Sequence, residues 1–133
     1  MTEIIAFPDV EAWAVAHLAA QLAARDEPYA DAVTVATRTP NPLTGRAVVV
    51  RRDGGPRLDL VRERARLGIR VHAPVETDAI DLAALCRALL EAAPGAGPVL
   101  GVTYASGPYA LPEESGTFAR YFTVELLVRG SAI

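Results

Sequence analysis

From Val61 to Ala73 the chain alternates between side chains that avoid water and side chains that seek it. Ala65, Leu67, Ile69, Val71 and Ala73 form one parity; Arg62, Arg64, Arg66, Gly68, Arg70 and His72 form the other. Successive side chains of a strand point to opposite faces, so a run of this length satisfies both halves only as a β-strand with one face on a core and one in water. The water-facing side is then a row of positive charge, with His72 expected to face solvent at its end. Gly68 interrupts the row and marks either a bulge or a close approach by another group.

Other elements arrange themselves around this strand. Asp9 is a good N-cap, Glu11 follows in the first turn, and Val10, Ala14, Leu18 and Leu22 recur at helical spacing with Trp13 and His17 alongside. A helix is predicted from Asp9 to about Arg25. Val33 to Thr37 is short and β-branched, which suits a strand. Thr39 to Gly45 holds two prolines and a glycine and reads as a loop, followed by a continuous apolar strand from Ala47 to Arg52. Asp53-Gly54-Gly55-Pro56 is a turn whose glycines tolerate positive φ.

Pro74 closes the alternating strand, and Glu76 or Thr77 opens a second helix ending near Ala93, before Pro94-Gly95. Its expected apolar stripe is Ile80, Ala83, Ala84, Leu85, Leu89 and Leu90. Pro98 to Tyr104 reads as a strand and Ser106 to Thr117 as a long irregular loop, because Gly107-Pro108 and Pro112 interrupt it. Phe118 to Arg129 alternates again. The order helix, two or three strands, helix, two strands implies an α+β fold: a mostly antiparallel sheet of four to five strands with two helices packed on one face. No repeat or linker divides residues 1–133, and 133 residues suit one domain of roughly 100–150.

Composition narrows the function classes. Apolar residues make up 51% and charged residues 22%, which places the chain among globular proteins able to bury a core without staples. A net charge of −3 with no charged tail advertises neither a nucleic-acid nor a membrane partner. Met1 to Pro8 lacks the basic and apolar regions of a secretory signal, and no stretch approaches the roughly 20 apolar residues of a bilayer span. The expected setting is a cytoplasm, or release from one by lysis. All 13 basic residues are arginine, which fits a coding bias accompanying the abundant Ala, Gly and Pro better than a need for arginine's planar fork.

No catalytic constellation emerges. Nucleophilic catalysis needs a nucleophile, a base and an orienting group. Cys86 sits among Leu82, Leu85 and Leu89, where a free thiol behaves as a small hydrophobe. His17, four residues after Trp13, suits a partly buried, hydrogen-bonded position. Two isolated histidines and one thiol do not make a zinc site, and a chain without lysine cannot carry a P-loop. No metal or cofactor is expected. Asp53-Gly54-Gly55 reads as a plain turn before an anion cradle, and Glu113-Glu114 as a mobile acidic loop. The arginine row stands out: it could meet phosphate or an acidic neighbour, or be a solvated face balanced by Glu63 and by Glu125 on a paired strand. Both readings stay open, and the absence of interleaved aromatics argues against base stacking.

Several segments together resemble one family: Ile4 to Val10 with the helix after it, Val48 to Gly55, Arg62 to Ala73, Asp78 to Pro94, Glu114-Ser115-Gly116, and Arg120 to Leu126. They are similar to the tail terminator (tail completion) proteins of long-tailed actinobacterial phages and prophages, in pattern and length over nearly the whole chain. The resemblance implies a non-enzymatic α+β subunit of the virion tail and neck, assembled in the bacterial host cytoplasm. It implies a homo-hexameric ring that caps the tail tube protein, ends tail elongation and joins the head–tail connector or head-closure protein, with genomic DNA passing transiently through its lumen and no membrane partner. On that footing Arg62, Arg64, Arg66, Arg70 and His72 are expected to line the lumen or bridge subunits. The segments Thr39 to Arg46 and Ala105 to Thr117 are candidates for axial contacts. A head-closure or adaptor protein shares this size and habit, and a small cytoplasmic ligand-binding α+β domain is the alternative from another class.

Overall fold

The alternating segment is the middle strand of the sheet. The computed structural model describes residues 3–114 and 116–133, in the order β1 (Ile5–Ala6), α1 (Val10–Ala23), a single 3₁₀ turn (Pro28–Ala30), β2 (Val33–Ala36), β3 (Arg46–Arg52), β4 (Arg62–Ala73), α2 (Glu76–Glu91), β5 (Val99–Glu114), β6 (Thr117–Arg129) and β7 (Ser131–Ala132). The main sheet runs β2-β3-β4-β6-β5 and is antiparallel except for the β2–β3 pair. The fold is therefore α+β, with five strands in the main sheet and both helices on one face.

That face carries the apolar parity of β4. Ala65, Leu67, Ile69 and Val71 meet Val48 and Val50 of β3 and Phe122, Val124, Leu126 and Val128 of β6 in one core, closed by the helices. The Asp9 side chain caps α1 by accepting from the Ala12 N–H at 3.0 Å, and the helix buries Val10, Ala14, Leu18 and Leu22. Burying one Leu is worth about 1.5–3 kcal/mol, far more than the helix's intrinsic propensity supplies.

On α2 the buried stripe is Ala79, Leu82, Ala83, Cys86 and Leu90, with Leu85 and Leu89 at its flanks. Ile80 and Ala84, expected in the stripe, face solvent instead. This stripe, centred on Leu82 and Cys86, packs against β4 and β6.

Three further features depart from the sequence expectation. The segment expected as a loop from Ser106 to Thr117 is largely strand: β5 continues to Glu114 and pairs with β6, taking up its prolines at register shifts between Ser106 and Tyr109 and between Leu111 and Glu114. Proline cannot donate to a ladder, so it is tolerated on an edge strand at such irregularities. Ser115, and the side chains of Glu113 and Glu114, lie outside the described residues, and with them the expected acidic loop. Secondly, the chain's two ends pair as a small second sheet, Ile5 opposite Ala132 and Ala6 opposite Ser131. Thirdly, β2 and β3 are parallel, so residues 37–45 must run back along the sheet to start β3.

Candidate functional site

The face of the sheet away from the helices is built from the polar parity of β4 and its register partners. Arg62, Arg64, Arg66, Gly68, Arg70 and His72 share it with Ala47, Val49 and Arg51 of β3 and with Ala119, Tyr121, Thr123, Glu125, Leu127 and Arg129 of β6. Arg62, Arg66 and Arg70 are exposed and Arg64 is half-buried, so the row does point outward.

Much of its charge is met within the chain. Arg62 reaches Asp59 at 2.7 Å, Arg66 reaches Asp53 at 3.3 Å and Arg64 lies 3.9 Å from Glu125. The hydrogen bond from the Arg62 side chain, helped by the Val61 N–H, holds the Asp59 carboxyl below the usual carboxylate range. The pairs of Arg64 and Arg66 are solvent-screened, and such contacts contribute about 0–1 kcal/mol each. They leave the arginines free to exchange partners at little cost. Glu63, expected to balance this row, points to the helix side and pairs with Arg52 at 3.0 Å.

His72 is a correction. It was expected at the solvent-facing end of the row, yet its exposure is 0%. The same end of the open face holds buried Ala47, Val49 and Ala119, and Leu43 in the β2–β3 connection is buried too. That connection returns over this face, since Thr37, Arg38 and Thr39 share one concavity with Val49, Gly68 and Arg70. The strand's parity put His72 on the outward face correctly, but that end of the face is buried.

Where the covered end gives way to the open row there is a cavity of about 340 Å³, lined by Thr37, Arg38, Thr39, Arg51, Arg70 and Tyr121, with Gly68 in its floor and Asp53 at its rim. Gly68 matters for its shape. A Cβ there would collide with the Tyr121 hydroxyl and lie 3.2 Å from Cζ, so the missing side chain lets the tyrosine lie across the strand. Of the two roles expected for Gly68, close approach is the one found; the pairing of β4 with both neighbours runs through it without a bulge. Arg51 donates to the Thr37 carbonyl at 3.3 Å and lies 4.0 Å from Glu11, which ties β3 to the connection and to α1.

Of the expected row, the structure keeps Arg62, Arg64 and Arg66 together, places Arg70 at the cavity and buries His72. Arg38 and Arg51 were missed. Arg51 carried a signal, because Ala47, Val49 and Arg51 alternate onto the same face; reading Ala47 to Arg52 as continuously apolar concealed it. Nothing local marked Arg38.

The remaining candidates take structural places. Cys86 is fully buried, and burial pushes its thiol up to about 12. His17 stacks on Trp13 with ring centroids 4.7 Å apart. Asp53-Gly54-Gly55-Pro56, expected as a turn, instead continues beside β4: the Asp53 N–H donates to the Arg66 carbonyl, the Arg66 N–H to the Gly54 carbonyl and the Arg64 N–H to the Pro56 carbonyl. Gly54 and Gly55 take φ of 117° and 105°, and the chain reverses at residues 59–61. Among the described residues no three His, Cys, Asp or Glu side chains gather as metal ligands would, and no helix is long and apolar enough to cross a membrane. No protein-family model matches this chain, and no curated protein matches it significantly.

Proposed function

We propose that this chain is a structural virion subunit that assembles with copies of itself into a ring of the tail-terminator kind. Such a ring, hexameric in the family it resembles, caps the tail tube, ends elongation and joins the tail to the head connector while DNA passes through its lumen. The observation that supports the reading is the one-sided sheet: both helices pack on one face, while Arg62, Arg64 and Arg66 on the other remain accessible with partners they can exchange. The exposed edge strand β5 adds Tyr104 and Tyr109, 55% and 56% exposed, beside that face. Single exposed apolar residues are ordinary, but aromatic side chains beside arginines are the composition enriched at protein interfaces.

The reading is tested by negative-stain electron microscopy of the purified chain, alone and with tail tubes. Rings of uniform diameter, free or at tube ends, are the expected result. Particles no larger than a monomer in both preparations would overturn it.

A further inference from the structure

Charge is divided between the two layers of the molecule. Residues 9–31 and 74–94, which supply the helices and their caps, hold nine of the 16 acidic residues and two of the 13 arginines. The strands and their connections therefore hold eleven arginines against seven acids. A chain of mild net charge thus has an acidic helical side and a basic sheet side.

We infer that neighbouring copies pack front to back, the acidic outer face of α2 in one copy seated over the arginine-lined cavity on the open sheet face of the next. This rests on the ring reading and specifies its contact. Face-to-face packing of two sheets would oppose arginine to arginine, and like charges across an interface cost several kcal/mol. Front-to-back packing brings opposite charges together at every contact. It is heterologous, which is the interface geometry that closes into rings when the rotation allows.

Particular residues suit the two sides. On the helical side Glu76 and Asp81 are exposed and pair with no described residue of their own chain, whereas Asp78 and Glu91 are taken by Arg46 and Arg87. Exposed Ile80 and Val75 lie beside them, 42% and 53% accessible. On the sheet side Arg38 is exposed at the cavity and has no ion pair among the described residues. Tyr109, opposite Tyr121 in register, offers an apolar neighbour for Ile80. A carboxylate entering the cavity would meet the guanidinium of Arg38 with the Thr37 and Thr39 hydroxyls beside it, a setting suited to charge-assisted hydrogen bonds.

The test is a charge swap followed by sedimentation velocity at low ionic strength, with circular dichroism to verify folding. Arg38→Glu and Asp81→Arg should each weaken self-association at least about tenfold. The double variant, or an equimolar mixture of the two singles, should restore it, because each then offers either the native or the reversed pair at every contact. Arg38→Gln and Asp81→Asn serve as milder substitutes should a reversal disturb folding. Assembly of wild type and both single variants to the same extent would overturn this inference and leave the ring reading standing. Loss in the singles without restoration would overturn the pairing of these two surfaces. A wild-type chain that stays monomeric at every attainable concentration and forms no rings at tail-tube ends would overturn both. Saturable binding of inorganic phosphate that Arg38→Glu abolishes without affecting assembly would make the cavity a small-anion site and overturn the inference alone.

Discussion

The backbone N–H of Arg52 donates to Glu11 Oε2 at 2.7 Å, so a helix carboxylate completes the edge of a strand. Strand β2 stops at Ala36, opposite Val49, and leaves the end of β3 without a strand beyond it. Glu11 supplies the missing acceptor and also stands 4.0 Å from Arg51. Hydrogen bonds to charged groups contribute about 1.5–3 kcal/mol. Glu11→Ala should lower the urea midpoint by the equivalent of roughly that amount at unchanged slope, and Glu11→Gln, which keeps an acceptor, by less than half as much.

The β3–β4 connection depends on one glycine more than on its neighbour. At Gly55, φ is +105° and an added Cβ would collide with the Arg64 carbonyl oxygen, a backbone atom that cannot swing away. At Gly54, φ is +117° but the space is open. Gly54→Ala should cost only the backbone strain, about 1–3 kcal/mol, whereas Gly55→Ala should cost more than that and displace the start of β4. Thermal melts of the two variants side by side check the ranking.

Burial of Cys86 makes stability depend on alkaline pH. The folded chain keeps the thiol proton up to about 12, while the unfolded chain releases it near the ordinary value of 9.0. Below the lower value the two states bind the same proton and the contribution is complete. Between the two values the unfolded state binds fewer protons, so stability falls as pH rises, by about 1.4 kcal/mol per unit from this residue. Cys86→Ala should remove that slope at the cost of a small cavity. Denaturation of both forms at about pH 8 and about pH 10 isolates the difference. In the native protein the thiol should resist alkylation until the chain opens.

What was legible in the sequence was whatever local periodicity fixes. The alternation of β4 and the stripe of α1 each depend on neighbours within a few residues, and each is found; at Gly54-Gly55 the positive φ was legible but not the turn, because pairing to β4 carries the chain on to a reversal at residues 59–61. The second half of β5 was hidden because Gly107-Pro108 and Pro112 signal a break; pairing to β6, an edge position and two register irregularities overrule that signal. The terminal strands β1 and β7 are two residues each and exist only as partners from opposite ends of the chain. His72 shows the same limit at the candidate site. Its parity was readable, but its burial is a tertiary effect that no local pattern announces. Arg38 comes to the cavity through the β2–β3 connection, whose return follows from the parallel pairing of those strands.

Native mass spectrometry of the intact chain at low ionic strength tests the central claim, that the sheet's open face is where copies of this protein meet. The account predicts a closed oligomer of one stoichiometry, dissociating as salt screens the contacts between layers. A monomer at all concentrations, retaining a small anionic metabolite in the cavity between Arg38 and Arg70, would contradict it.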